Sequence, residues 1–439
     1  MHDTGDRRTR PRRAPRGVVV LSALVVAATL TACSSTNTAA GDAGTTSTKS
    51  TIPPAAFSDH TGITAGSVSI GNVSTLFAGL FKGAAVGTQA YADYVNSTGG
   101  VNGRKIDVDS YDDNFTGAAN KSQTQEAVEK DFALVGGFSL FDNFGGTVLK
   151  ANPQVPNVTV SLNLATADLP NSFSPAPAVN GWPTGDLKYF AQKYPTQIKH
   201  TGALVADEPS AVAKWDAERA AMESLGYKVV YDPTFDITTT QFDQYVISMK
   251  NAGVQILFME QMPENYAAAV VQALDAQNFH PILVFGGSTY SEKLVPASGG
   301  AAAVDGAYLT QNTALYLGED SPALPAVGTF LSWVQKASPG FSADLYTLYG
   351  WLSAELFVQA LRSAGSDPSR GSLLQSLSKI DSFSGGYLTG TANPAKKIPT
   401  DCYVMARFVN GKLQRLDDPP VNGPTHGYVC GAPYYYAKT

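Results

Sequence analysis

The sequence predicts an α/β protein built as two doubly wound parallel-sheet lobes, and three observations predict it. The chain has 439 residues, too many for one ordinary domain and suited to two. Strand-like and helix-like segments alternate over residues 67–161, and the same rhythm restarts at 201. Between the runs, Asn171–Pro183 (NSFSPAPAVNGWP) holds three prolines and no periodic pattern, as a hinge crossing requires. Apolar residues make up 44% and charged residues 15%, enough to build a large core.

The elements follow in order. Ser67–Val73 (SVSIGNV) reads as a strand. Gly79–Val95 reads as a helix, with Leu80, Ala84, Ala90, Tyr91 and Tyr94 at apolar positions and a stop at Gly99-Gly100. Lys105–Tyr111 alternates as a strand does, Gly117–Lys130 is a polar helix, and Phe132–Gly136 and Pro156–Ser161 are buried strands. In the second run, strands are expected at Thr201–Val205, Tyr227–Tyr231, Val254–Met259 and Pro281–Phe285. Helices are expected between them at Ala211–Leu225, Gln241–Asn251 and Pro263–Gln277. Right-handed crossovers then wind each sheet doubly, with helices on both faces. Two long helices at about 323–337 and 341–364 come next. Cys402–Val409 and Lys412–Leu416 form a hairpin about Asn410-Gly411, since Asn-Gly supplies the positive φ of a tight turn.

The N-terminus reads as an address. Six arginines precede residue 17, and an uninterrupted apolar run of 14 residues follows, Gly17–Leu30. Rising about 1.5 Å per residue, that run is too short for a hydrocarbon layer of about 30 Å, and it fits the apolar core of a signal peptide. Leu30-Thr31-Ala32-Cys33 resembles the bacterial lipobox, which implies cleavage before Cys33 and lipid on its thiol. Residues 34–56 are rich in Ser, Thr, Ala and Gly and read as a flexible leash with a reach of roughly 30 Å. The formal net charge is −6; without residues 1–32 it is −10, from 25 basic and 35 acidic residues. A body so acidic, with no basic cluster, argues against nucleic acid as a partner.

Export leaves Cys402 and Cys430 outside the cytosol, where an even remainder favours a disulfide over two separate buried thiols. Closing a loop of about 29 residues stabilises by roughly 3–4 kcal/mol. The five histidines are scattered without metal-ligand spacing, so no metal and no cofactor is expected.

The order of elements then resembles a known family. SIGNV, a long helix, Tyr94-Val-Asn96-x-x-Gly99-Gly100-Val-Asn102-Gly103-Arg104-Lys105-Ile106 and Tyr111-Asp112-Asp113 are similar to the first lobe of type I periplasmic binding proteins, the leucine/isoleucine/valine-type receptors of ABC transporters. Val155-Pro156, Leu225–Val230, Phe242-Asp243, Lys250–Gly253 and Gly350 with Ala360-Leu361 and Ala364-Gly365 extend the likeness over roughly residues 60–415. The resemblance implies two lobes joined by a three-segment hinge, with a ligand held between them. The corresponding division is a signal peptide at 1–32, lipidated Cys33 with a tether to residue 60, a first lobe of 61–178 and 311–385, and a second of 179–310 and 386–439.

In open α/β sheets, ligands bind outside the carboxyl ends of the strands, which nominates the loops there. In the first lobe these are Ser74, Thr75 and Phe77; Phe138, Ser139 and Phe141; and Ser161 and Asn163. Ser74 or Thr75 serves equally as a plain helix N-cap. In the second lobe they are Asp207, Glu260, and Ser288 with Tyr290, while Trp182 beside the hinge can stack on a ligand or pack the lobe. Amino-acid receptors of the family hold the ligand carboxylate with a Ser/Thr-rich loop, which here reads FSLF, and the ammonium with an acid where this chain has Ser288. Glu260 and Glu208 are the acids able to stand in. The aromatics favour an apolar or aromatic organic acid or amide over a free amino acid.

Apparent motifs elsewhere dissolve. Gly99–Gly103 lacks the following helix and the Lys-Ser/Thr of a phosphate loop, and no GxSxG elbow is present. The expected protein is a monomeric, surface-tethered, non-enzymatic receptor, anchored by lipid, that captures a small organic metabolite (branched-chain or aromatic amino acid, organic acid or amide) and partners an ABC permease. A ligand sensor on the same fold is the alternative.

Overall fold

The computed structural model describes residues 52–416 and 419–436. The signal peptide, Cys33 and the tether as far as residue 51 lie outside the described residues.

The first sheet is wholly parallel. Its elements are β1 (Ser67–Ser74), α1 (Lys82–Ser97), β2 (Lys105–Asp112), α2 (Gly117–Lys130), β3 (Ala133–Val135), α3 (Asp142–Ala151), β4 (Asn157–Val158), α4 (Leu164–Ala167) and β5 (Ser172–Phe173). The strand order is β2-β1-β3-β4-β5. The short β6 (Gly181–Pro183) and α5 (Gly185–Lys193) lead into the second sheet. That sheet and its neighbours comprise β7 (Thr201–Ala203), β8 (Val205–Ala206), α6 (Pro209–Ser224), β9 (Val229–Tyr231), β10 (Thr234–Phe235), α7 (Asp243–Asn251), β11 (Ile256–Met259), α8 (Glu264–Ala276), β12 (Ile282–Phe285), α9 (Leu294–Ala297), α10 (Ala301–Val304) and β13 (Tyr308–Gln311). The chain then returns to the first sheet with α11 (Pro325–Ala337), α12 (Leu345–Ser363) and α13 (Arg370–Leu377) before β14 (Val404–Val409), β15 (Lys412–Arg415) and β16 (Tyr434–Tyr436).

The second sheet runs β15-β14-β13-β12-β11-β7-β9, so its five parallel strands repeat the winding of the first. The Asn410-Gly411 hairpin adds an antiparallel edge, which makes this sheet mixed rather than parallel throughout. The chain passes between the sheets three times, after β5, after β13 and before β14.

Strand periodicity explains the cores. On the first sheet Val68, Ile70, Ala133 and Val135 meet α1 and α12, while Val73 and Leu134 meet α2 and α3. On the second, Ala203, Ile256, Phe258 and Val284 meet Leu187, Phe190, Trp215 and Met222 of α5 and α6. Leu257, Met259 and Phe285 on the opposite face meet the α7 and α8 side. The central strands, β3 and β11 among them, are buried on both faces because helices cover both, whereas the edge strands β2 and β15 keep exposed polar residues. α1 and α12 approach closely enough that a Cβ at Gly87 would stand 1.9 Å from the Thr347 carbonyl oxygen, so only glycine fits. Asp344 caps α12 by accepting from Thr347 N at 2.7 Å.

The body begins before residue 61. Ala56 is buried, and Asp59 pairs with Arg370 at 2.9 Å, so the last residues read as tether pack on the first sheet's helices. Cys402 and Cys430 form a disulfide. It holds the C-terminal segment so that β16 pairs antiparallel with β6, Tyr435 opposite Trp182.

Candidate functional site

Strand order reverses between β1 and β3 in the first sheet and between β7 and β11 in the second. Chains leaving adjacent strands at such a point diverge to opposite faces and open a crevice at the carboxyl ends. Beside these points, the loops after β3 and β4 of the first sheet and the ends of β11, β12 and β13 of the second line one cavity of about 300 Å³. Phe138, Ser161, Leu162 and Leu164 enter it from the first sheet; Glu260, Gln261, Gly286–Ser288, Thr310 and Gln311 enter from the second. Trp182, Thr400, Cys402 and Tyr434, from the crossing segments and the C-terminal strand, complete the wall.

The cavity is apolar around a few unsatisfied polar atoms. Among the described residues, Trp182 Nε1, Glu260 Oε1 and Gln311 Oε1 have no hydrogen-bond partner, nor has Glu218 Oε1 behind Gln261. Buried groups of that kind are ordinarily paired, so their clustering on one cavity marks a place for a polar guest. Asp186, at the start of α5, accepts from Leu187 N at 2.8 Å and Thr310 Oγ1 at 3.1 Å. Burial still pushes its carboxyl up to about 6, because desolvation outweighs the two bonds. Burial, then the repulsion of neighbouring acids, raises Glu260 and Glu218 above the ordinary carboxyl range, although Gln261 Nε2 donates to Glu218 at 2.9 Å. Lys214 on α6 lines the same cavity.

Of the residues nominated from sequence, Phe138, Ser161, Trp182, Glu260 and Ser288 line the cavity. Ser288 has its hydroxyl engaged, donating to the carbonyls of Glu260 at 2.8 Å and Met262 at 2.9 Å. The others lie elsewhere. Ser74 donates to Asn72 Oδ1 at 2.7 Å and Thr75 to Asp113 Oδ2 at 3.0 Å, both wholly buried. Ser139 also bonds Asp113, and Asn163 bonds Asp142. Phe77 is 58% exposed and stacks on Phe115, which meets Phe141 edge-on at 5.3 Å. Asp207 is exposed, and the Tyr290 hydroxyl turns inward to Glu319.

Sequence reasoning missed Asp186, Lys214, Gln311, Tyr349 and Tyr434. Gln311 was within reach of the strand-end rule, but the segment Tyr308–Gln311 was not read as a strand. Tyr434 carries no local signal, since only the disulfide and the β6 pairing bring it to the cavity.

A family model described as "Periplasmic binding protein" matches residues 68–412. No curated protein sequence matches. Solved structures do. A leucine-binding protein from Thermotoga maritima superposes with a TM-score of 0.64 at 15% identity, over 79% of this chain and 97% of that one. A fatty acid ABC transporter substrate-binding protein from Thermomonospora curvata gives 0.65 at 18% identity, over 88% and 96%. A solute-binding protein of an R. palustris ABC transporter, in complex with benzoate, gives 0.64 at 17%, over 80% and 96%.

Proposed function

The chain belongs to the periplasmic binding protein family, and from that premise we propose that it is the solute receptor of an ABC-type importer. It captures a small organic metabolite between two lobes, 61–178 with 311–385 and 179–310 with 386–439, and releases it to a membrane permease. Cys33 carries the lipid that keeps the exported receptor at the outer face of the membrane, which raises its effective concentration at the permease. No helix of the described residues is long and apolar enough to cross a membrane, so attachment falls to the N-terminal segment.

One observation carries the reading: a cavity of about 300 Å³, lined from both sheets at their strand ends, that gathers unpartnered buried polar atoms. A ligand there touches both sheets, so its binding energy favours whatever arrangement brings them together. The three connecting passages are the pivot. The solutes named for the structural neighbours, leucine, a fatty acid and benzoate, are small molecules with apolar bodies, in keeping with the apolar wall here. Nothing in the cavity joins a nucleophile to a base, so the expected chemistry is capture without turnover.

A thermal-shift screen of amino acids, aromatic acids, amides, amines and short peptides tests this. A ligand at about a hundred times its Kd stabilises by about 2.7 kcal/mol, a shift of several degrees. The expected result is a shift from one chemical class with the solute recovered unchanged. A flat screen, or a consumed solute, overturns the reading.

A further inference from the structure

Three adjacent strands of the second sheet end at one place. Glu260 follows β11, Gly286 and Gly287 follow β12, and Gln311 ends β13. Neighbouring strands lie about 4.8 Å apart, so the backbones of Glu260, level with Gly286, and Gln311, level with Gly287, run on either side of the glycines about 10 Å apart. A gap exists because the middle strand ends without side chains. A Cβ on Gly286 would stand 2.9 Å from Glu260 Cβ and Cγ, and one on Gly287 would stand 3.5 Å from Gln311 Oε1. Both flanking residues present an oxygen that no group among the described residues satisfies. Gln311 is only 7% exposed, and its orientation is set by its amide nitrogen, which donates to the carbonyls of Thr313 at 3.3 Å and Ala314 at 2.8 Å. Its oxygen is therefore an acceptor held towards the gap, and Glu260 supplies a second.

Resting on the receptor reading above, we propose that the ligand carries a cationic nitrogen, an ammonium or guanidinium on a small apolar body, seated between Glu260 Oε1 and Gln311 Oε1. Two acceptors call for an N–H donor. The surrounding charge selects a cation. Asp186 on α5 and, once ionised, Glu218 on α6 repel an anion beside Glu260, and the phenol of Tyr227 is the other titratable neighbour. Lys214 on α6 lines the cavity but acts on Asp142 across it rather than on these acids. The Ser288 hydroxyl is spent on two carbonyls, so Glu260 and Gln311 are left to meet a donor at these strand ends.

Burial and the neighbouring acids favour the protonated form of Glu260, so a cation that draws its carboxylate displaces whatever proton it holds. The carboxylic O–H bond breaks, its proton leaves to solvent, and the carboxylate formed accepts from the incoming cation. Wherever Glu260 still holds a proton, affinity for a cation therefore rises with pH, and affinity for a neutral amide does not.

Matched probes on the purified full chain decide it. Benzylamine, benzamide and benzoate share one body, and isopentylamine and isovalerate share another. The expected order is amine above amide above acid in the first set and amine above acid in the second, with amine affinity climbing as pH rises from 5 and calorimetry in two buffers reporting proton release. Glu260→Gln loses at least about tenfold in benzylamine affinity and flattens the pH slope, and Gln311→Leu weakens the amine with the slope kept. The unfolding midpoint of each free variant checks that it folds. A preference for benzoate or benzamide, or a slope unchanged in Glu260→Gln, overturns this inference and leaves the receptor standing. Binding of acids or peptides elsewhere in the screen with no response to either amine does the same. A screen flat for every solute removes both readings.

Discussion

The hydroxyl of Thr75 donates to the wholly buried carboxylate of Asp113 at 3.0 Å. Asn120 Nδ2 donates to the same oxygen at 3.1 Å, and Ser139 bonds it too. Asp113 is thus the knot that ties the loops after β1, β2 and β3 at the first sheet's crevice. Thr75 and Ser139 work for the scaffold, with their donors already spent. Asp113→Ala leaves three buried donors unsatisfied and is expected to destabilise by about 3 kcal/mol or more, whereas Ser139→Ala costs about 1 kcal/mol. Ligand affinity in the Ser139→Ala variant should stay within about twofold of the parent protein, since that hydroxyl does not line the cavity. Chemical denaturation and titration of the two variants check both statements.

Arg370 is buried at the start of α13 and binds Asp59 at 2.9 Å, the Val128 carbonyl at 2.8 Å and the Phe132 carbonyl at 3.2 Å. It fastens the residues that precede β1 to the first sheet. Removing Asp59 strands a buried guanidinium, so Asp59→Ala is expected to cost about 3 kcal/mol. Burial acts to raise the Asp59 carboxyl, but the bonds from Thr61 and the charge of Arg370 prevail and hold it below the ordinary range. A depressed acid contributes stability above its unfolded pKa and loses it as pH falls through the folded value. The gap in stability between parent and Asp59→Ala should therefore close below about pH 4. Urea melts at pH 3, 5 and 7 measure it.

Asp186 behaves in the opposite sense. Its folded value of about 6 lies above the roughly 3.9 of an unfolded aspartate. The folded protein then holds the proton longer, and stability falls as pH rises from about 4 to 6. Above that window the buried charge costs about 2–3 kcal/mol, which Asp186→Asn removes while keeping an acceptor for Thr310. The variant should equal the parent at pH 4 and exceed it at pH 7. Equal stability at both pH values contradicts the assignment.

The disulfide closes the C-terminal segment onto the third passage between the sheets. Cys402 and Tyr434 both line the cavity, and Thr184 Oγ1 donates to the Pro433 carbonyl at 2.6 Å. Replacing both cysteines by serine is expected to lower stability by about 2–4 kcal/mol, with the same drop in the parent under reductant. Freeing Tyr434 should also weaken ligand binding several-fold, read by titration in the double variant.

How much of this was legible beforehand varies by element. α2 at Gly117–Lys130 coincides with its expectation, because its polar face, the Thr116 cap and its cationic end are all local. The helix expected at Gly79–Val95 begins instead at Lys82. Gly79 has a φ of 79°, and the Leu76–Phe81 turn bends before the helix starts. The expected strand Thr201–Val205 divides into β7 and β8, which pair with different partners. α3, α5, β13 and β16 escaped notice. The last two are short, and pairing alone makes them strands.

By itself the sequence determined the winding of the parallel strands in both sheets, the break between them and the hairpin at Asn410-Gly411. All of these follow from periodicity and turn chemistry within a few residues. Only the tertiary structure decided which strand-end residues face the cavity. At the end of a strand, a hydroxyl or carboxylate turns inward or outward according to the partner it meets. Ser139 met Asp113, and Glu260 met none, and those partners lie tens of residues away in the chain.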